Sequence, residues 1–361
     1  MYLNGTATPS RHDRRRLGAR ARVRDRWAPR RVAVAVVAGT AALALAACGS
    51  PGSGKTSTKV GVVIKGLDNP FFQTMDNGVK AQASASDVTV NVQAAQSVTD
   101  TTGQADKLNA MANQAYGCYV VNPITGTNLI QAVARIAAKN KPIVNIDSPI
   151  QAAAAKAAHA DIATYIGTDN VAAGRRAGQT MAMLLPSGGQ VAAIGGIAGD
   201  VTSGDRITGF KRGMGRISLV QTVAANWDRQ QALTQAGNVL RAHPQVAGFF
   251  VANDDMALGV ARAVSDAHKT GRIKIVSVDG IKDALEAVRA GSLSAVVAQY
   301  PYVIGKMGVE ACVASAAGKK LPARVDAPVE VITKSNAAKA IATTPKPVGK
   351  YDDPFAALLA K

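Results

Sequence analysis

Histidine is scarce in this 361-residue chain. There are four, His12, His159, His243 and His268, and no two stand at a spacing that brings both to one metal ion. The G-x-S-x-G elbow of serine hydrolases is absent. No nucleophile is set beside a base, so the sequence points away from catalysis, and neither a metal nor a cofactor is expected. Cysteine is as rare: Cys48, Cys118 and Cys312. An exported chain can join the last two. Cys118 begins an apolar strand and Cys312 falls in a helical stretch, so two buried free thiols are an equal reading. Past residue 47 no apolar run is long enough to span a membrane, which takes about 20 residues.

Acid is missing from the N-terminus. Residues 1–31 hold ten Arg and only two Asp, which is +8 of the formal +18. The remaining +10 reads as solvated helix faces. Val32 to Ala47 is uncharged, VAVAVVAGTAALALAA. A basic segment, a short apolar core and small residues before a cut describe a secretory signal over residues 1–47. That core, following at once, disfavours a nucleic-acid-binding arm, and no nucleic acid is expected. The end of the segment, Leu45-Ala46-Ala47-Cys48-Gly49, resembles the bacterial lipobox, which implies lipidation of Cys48 and an anchor on the outer face of the cytoplasmic membrane. Arg14-Arg15 and Arg30-Arg31 leave both the general and the twin-arginine export routes open.

Residues 49–57, GSPGSGKTS, match the phosphate-loop pattern G-x-x-x-x-G-K-[ST]. In that motif a helix must start at the Lys-Thr so that its N-terminus faces the anion. Here a β-branched run, KVGVVI (59–64), follows instead. A nucleotide-hydrolysing enzyme is thus a minor alternative, and residues 48–58 read as a flexible tether.

From Lys59 onward strand-like runs alternate with Ala-rich amphipathic stretches. The runs are 59–64, 88–93, 118–122, 142–146 and 164–167, then 190–195, 218–224, 248–253, 273–279 and 294–299. Helical stretches include 71–86, 128–139, 170–185, 228–242 and 256–267. This is the rhythm of βαβ units. Several runs are apolar throughout, as in parallel sheets covered on both faces. Two sets of five suggest an α/β protein of two similar doubly wound lobes rather than one very wide sheet.

Ligands in such sheets bind beyond the carboxyl ends of the strands. There the sequence places Asp68-Asn69-Pro70-Phe71-Phe72, Asn122-Pro123, Asp147-Ser148, Asp205-Arg206, Asn226-Trp227-Asp228, Asn253-Asp254-Asp255, Asp279-Gly280 and Gln299. Planar amides, carboxylates and a guanidinium take vicinal hydroxyls two at a time, and aromatic rings cover the C–H face of a sugar. Asn69, Asn122 and Asn253 read equally well as turn formers or helix caps, Phe71 and Phe72 as core, and Asp147 and Asp279 as caps.

These same stretches resemble a known family. GVVIKGLDNPFFQTMDNGVKAQA (61–83), VVNPITGTNL, IGTDNVAAGRRAG, GGIAGDVTSGDRITGF, HPQVAGFFVANDDMALGVARA, VSVDG and VVAQYP keep the order and spacing of the type I periplasmic sugar-binding proteins, the relatives of ribose-binding protein. The resemblance runs over about residues 59–334. It implies two lobes (59–167 with 300–328, and 168–299 with 329–340) joined by a three-segment hinge near Thr168, Tyr300 and Pro328. It implies ligand contacts from Asn69, Phe71, Phe72, Asn122, Asp147, Arg206, Trp227, Asn253, Asp279 and Gln299. Phe71 and Phe72 would stack on one sugar face. Trp227, where the family usually has Phe, would cover the other. Ser148 and Val278 stand where ribose-specific members carry Arg and Phe, so a related pentose, hexose or polyol is as admissible as ribose.

The function implied is that of an extracytoplasmic, monomeric substrate-binding lipoprotein handing a monosaccharide to the permease of an ABC importer whose ATPase is a separate subunit. A sugar sensor docking on a receptor is the alternative. Residues 341–361 are expected as a C-terminal tail, either loose or packed on a lobe.

Overall fold

The computed structural model describes residues 59–360. The leader, Cys48 and the Gly49–Thr56 motif lie outside the described residues.

All ten expected strands form, with ends shifted by at most two or three residues. The first sheet comprises β1 (Lys59–Ile64), β2 (Thr89–Ala94), β3 (Cys118–Val121), β4 (Ile143–Ile146), β5 (Thr164–Gly167) and β11 (Arg324–Asp326). Its order is β2-β1-β3-β4-β5-β11, all parallel. The second comprises β6 (Gly189–Gly195), β7 (Ile217–Ala224), β8 (Val246–Val251), β9 (Lys274–Asp279), β10 (Ala295–Gln299) and β12 (Val329–Thr333). Its order is β7-β6-β8-β9-β10-β12, with only β12 antiparallel. Each is a doubly wound sheet whose order reverses beside its first strand, and a crevice opens at that point. Because β1 lies at 59–64, a strand stands where a phosphate loop would need its helix.

Central strands are apolar on both faces because helices cover both. β3 and β4 are buried at every position, whereas the edge strand β7 alternates towards solvent. The helices are α1 (Pro70–Ala85), α2 (Thr101–Ala112), α3 (Ile130–Ala137), α4 (Ala152–Ala157), α5 (Asn170–Leu184), α6 (Val201–Gly213), α7 (Arg229–Ala242), α8 (Asp254–Asp266), α9 (Lys282–Ala290), α10 (Pro301–Ala316), α11 (Ala337–Thr343) and α12 (Pro354–Leu359). Many begin on an Asn or Asp whose side chain accepts a first-turn N–H, among them Asn69, Asp100, Asp169, Asp200, Asp228 and Asn253. No helix among the described residues is long and apolar enough to cross a membrane.

The chain passes between the sheets three times, at residues 168–169, 300 and 327–328. After the first passage α5 packs on β8, β9 and β10. After the second, α10 packs back on β3, β4 and β5. The C-terminal segment is packed, not loose. α11 lies against α9 and β12, and α12 lies against α10. Phe355 is fully buried. Lys306 Nζ bridges Glu310 Oε1 at 2.6 Å and Asp353 Oδ2 at 2.7 Å.

Cys118 and Cys312, left open by the sequence, are joined, with Cα atoms 5.7 Å apart and a sequence separation of 194. The bond ties β3 to α10, the helix that returns to the first sheet after five of the six strands of the second. Replacing both cysteines with serine is therefore expected to lower the unfolding free energy by about 2–5 kcal/mol, measured by urea denaturation. A loss below about 1 kcal/mol would show that the bond does not stabilise this lobe.

Candidate functional site

The carboxyl ends of the two sheets face each other across a cavity of about 420 Å³, open mouth included. The first-sheet lobe contributes Lys65, Asn69, Phe71, Phe72, Val98, Asp147 and Ser148. The second contributes Thr202, Arg206, Trp227, Asn253, Asp279 and Gln299. Nine of the ten candidate residues thus line one cavity. The tenth, Asn122, does not. It is fully buried at the end of β3, with Nδ2 3.5 Å from Met75 Sδ, and its Oδ1 has no hydrogen-bond partner among the described residues.

The aromatic walls come from opposite lobes. Phe71 and Phe72 open α1, both buried, with rings edge-to-face at 5.1 Å between centroids. Trp227 follows β7 in a turn where Asn226 and Trp227 both have positive φ, 51° and 62°. Its ring lies on Gly196, where a Cβ would stand 2.1 Å from Trp227 Cε2. Only glycine lets the indole lie that close. The Arg206 guanidinium sits 5.9 Å from the same ring.

In the first lobe the polar floor is Asp147, held at φ 60°. Its carbonyl accepts from the Tyr165 hydroxyl at 2.6 Å, and burial pushes the Tyr165 phenol well above its usual range. Lys65 Nζ donates to Ser148 Oγ at 2.6 Å, lies 3.9 Å from Asp147 Oδ2, and stands 5.4 Å from the Phe72 ring centre. The cation beside Asp147 thus comes from the end of β1, where ribose-type members would supply it from position 148.

In the second lobe Arg206 is buried and makes three hydrogen bonds. Its Nη1 donates to Asp279 Oδ1 at 3.1 Å and Ala252 O at 2.6 Å, and its Nε to Asn170 Oδ1 at 2.9 Å. Gln299 Nε2 donates to the same Asp279 oxygen at 2.7 Å, and Thr168 Oγ1 donates to Gln299 Oε1 at 2.6 Å. Asn170 Nδ2 closes the ring onto Thr168 O at 3.3 Å. Burial pushes the Asp279 carboxyl up to about 6, against the lowering effects of Arg206 and Gln299.

Asn69 and Asn253 serve two purposes. Their Oδ1 atoms cap α1 and α8, accepting from Phe71 N at 2.9 Å and Met256 N at 3.0 Å. That commits the carbonyl and leaves each NH2 group to donate elsewhere. Lys65, Val98 and Thr202 escaped the sequence reading; Lys65 follows β1 directly, Val98 lies in the loop after β2, and Thr202 is in the first turn of α6. Thr202 Oγ1 is buried with no partner among the described residues. Of the two departures from the ribose pattern, Ser148 lines the cavity. Val278 does not: it packs in the hydrophobic core of the second lobe.

Comparison with known proteins shows what this chain is similar to. Residues 60–320 match the family described as periplasmic binding protein domain. The D-allose-binding periplasmic protein of Escherichia coli (strain K12) is 38% identical over 267 residues, covering 72% of this chain and 86% of that protein. The ribose import binding protein RbsB of Bacillus subtilis (strain 168) is 30% identical over 281 residues, covering 78% and 88%. An ABC transporter periplasmic solute binding protein from Actinobacillus succinogenes 130z, solved with bound D-allose, superposes with a TM-score of 0.74 at 26% identity, covering 78% of this chain and 99% of that one.

The contact between Gly196 and the indole is directly testable. In a chain carrying Trp27→Phe, Trp227 is the only tryptophan. Gly196→Ala is expected to lift the ring off its seat and shift its emission to longer wavelength, with circular dichroism unchanged. An unaltered spectrum would mean that the ring does not rest there.

Proposed function

On the premise that this chain belongs to the periplasmic binding protein domain family, we propose that it is the substrate-binding lipoprotein of an ABC-type sugar importer. It takes a monosaccharide (pentose, hexose or related polyol) between its two lobes. Cys48 holds it on the outer face of the cytoplasmic membrane, and it acts as a monomer. The permease and the ATPase are separate subunits that accept the sugar from the closed form.

The observation that carries this reading is the cavity itself. Aromatic rings stand on both sides, Phe71 and Phe72 from one lobe and Trp227 from the other. Between them lie Asp147 and Asp279 as acceptors, Arg206 and Lys65 as cationic donors, and the amides of Asn69, Asn253 and Gln299. A sugar ring has two C–H faces and a rim of hydroxyls that donate and accept at once. The rings cover the faces, and the planar polar groups meet the rim. A sugar with one hydroxyl misplaced would leave a buried group unpaired, which is the source of selectivity. Lys65 with Ser148 offers a single ammonium and a hydroxyl where a guanidinium would offer a rigid fork, so a different hydroxyl pattern is satisfied from that of ribose-type sites. The ligand reaches both lobes only when they are closed, so it favours the closed form in proportion to that difference in contact.

The test is a titration of the Trp27→Phe chain with pentoses, hexoses and polyols, D-allose first because two of the compared proteins carry its name, following Trp227 emission. One sugar, or a few, should give a saturable change. Silence across the panel from a folded protein would sink the monosaccharide reading. Asp279→Asn should weaken binding about tenfold to a hundredfold, the loss of a charged hydrogen-bond acceptor. With the free carboxyl near 6, affinity of the parent chain should fall as pH drops below that value, because the proton competes with the sugar's hydroxyls. A flat profile from pH 5 to 8 would remove Asp279 from the contact set.

A further inference from the structure

We propose that Asp254, which touches no part of the cavity, is a positioning residue for the site, clamping the β9 turn so that the Asp279 carboxylate faces the ligand. The proposal rests on the monosaccharide reading for its affinity test only.

Asp254 is the first residue of α8 and is fully buried. Its two oxygens collect three hydrogen bonds, all from one turn of neighbouring chain. Oδ1 accepts from the Ser277 hydroxyl at 2.5 Å. Oδ2 accepts from the backbone N–H of Gly280 at 2.6 Å and of Ile281 at 2.9 Å. The donors bracket Asp279 on both sides, while Asp279 makes none of these bonds itself.

The turn they hold is one that the chain would not keep alone. Asp279 has φ 140° and Gly280 φ 86°. The first value lies in a region that residues with a side chain rarely occupy. A Cβ at Gly280 would stand 2.6 Å from Ala298 Cβ, so the turn is pressed against β10 as well. In this conformation two successive N–H groups point at one carboxylate oxygen, the arrangement that backbone nests use to hold anions. The same twist aims the Asp279 side chain back at Arg206 and Gln299, both of which donate to its Oδ1. Neither bond uses Oδ2.

Geometry, rather than negative charge, is what this clamp requires. Burial and the neighbouring Asp279 carboxylate push the Asp254 carboxyl well above its usual range. A neutral acid keeps the same contacts, with Oδ2 still accepting twice and the proton on Oδ1 shared with Ser277. An asparagine can do the same, its carbonyl accepting from Gly280 and Ile281 and its NH2 donating to Ser277 Oγ. An alanine can do neither.

The test compares the full chain with its Asp254→Ala and Asp254→Asn variants in two measurements. One is D-allose affinity by calorimetry. The other is amide hydrogen exchange at residues 280 and 281 without sugar. The alanine variant should bind about ten- to a hundredfold more weakly and exchange those two amides faster, while β8 and α7 keep the protection of the parent. The asparagine variant should recover most of both. Binding by the alanine variant within about threefold of the parent would overturn the proposal. So would an asparagine variant that protects both amides yet binds as poorly as alanine, since charge would then be the agent. If the parent binds neither D-allose nor another sugar of the panel, the monosaccharide reading fails, and the exchange measurement alone decides: unchanged protection at 280 and 281 in the alanine variant rejects the clamp. If that variant does not fold, Ser277→Ala takes its place. It removes one of the three bonds, and it should weaken binding at least about threefold and loosen the two amides; no change in either rejects the proposal.

Discussion

The Arg206–Asp279 pair is the contact on which the rest of the site depends. Both side chains are buried, and two charges taken out of water are costly unless every remaining donor and acceptor is met. Here a closed ring meets part of that demand: Thr168, Gln299, Asp279, Arg206, Asn170 and back to Thr168, with Asp279 Oδ2 outside it. Thr168 lies on the first passage between the sheets and Gln299 immediately before the second. The ring therefore joins the cavity-lining ion pair to the passages between the sheets through its four other bonds. A buried network of this kind is rigid when complete and costly when broken, so binding chemistry and lobe geometry are coupled by construction.

Eight non-glycine residues among those described have positive φ. Asp87, Asn140, His159 and His268 follow the C-terminal ends of helices, where a left-handed residue commonly ends the helix. The other four, Asp147, Asn226, Trp227 and Asp279, lie at or just past carboxyl ends of strands. A conformation that costs free energy persists only where the surroundings over-determine it. At Asp147 the Tyr165 hydroxyl and the β5 backbone do this. At Trp227 the bare face of Gly196 gives the ring its seat.

The two lobes share a topology but not their means of holding the site. The first lobe supplies two phenylalanines set edge-to-face and a lysine from the end of its leading strand, and a disulfide ties β3 to α10. The second supplies the indole, the guanidinium and the buried Asp254 and Asp279 carboxylates, while the first supplies Asp147. The C-terminal segment begins on the second lobe as α11 and ends on the first as α12, so the chain past residue 343 runs from one lobe to the other.

The strand and helix pattern was legible in the sequence because it depends on local rules. β-branched runs make strands, Asn and Asp make caps, and apolar content on both faces marks a parallel sheet. The two short strands β11 and β12 were not legible, since three and five residues become strands only by pairing at a sheet edge. Most of the cavity lining could be read as well, because an α/β sheet brings its strand ends together whatever lies between them. Tertiary structure decided the rest. It turned Asn122 away from the cavity and Val278 into the core, and it brought Lys65 beside Asp147 and Ser148 across a sequence gap of more than eighty residues. It also joined Cys118 to Cys312. Each of these depends on where a side chain points or on a meeting of distant segments, and neither is encoded in local pattern.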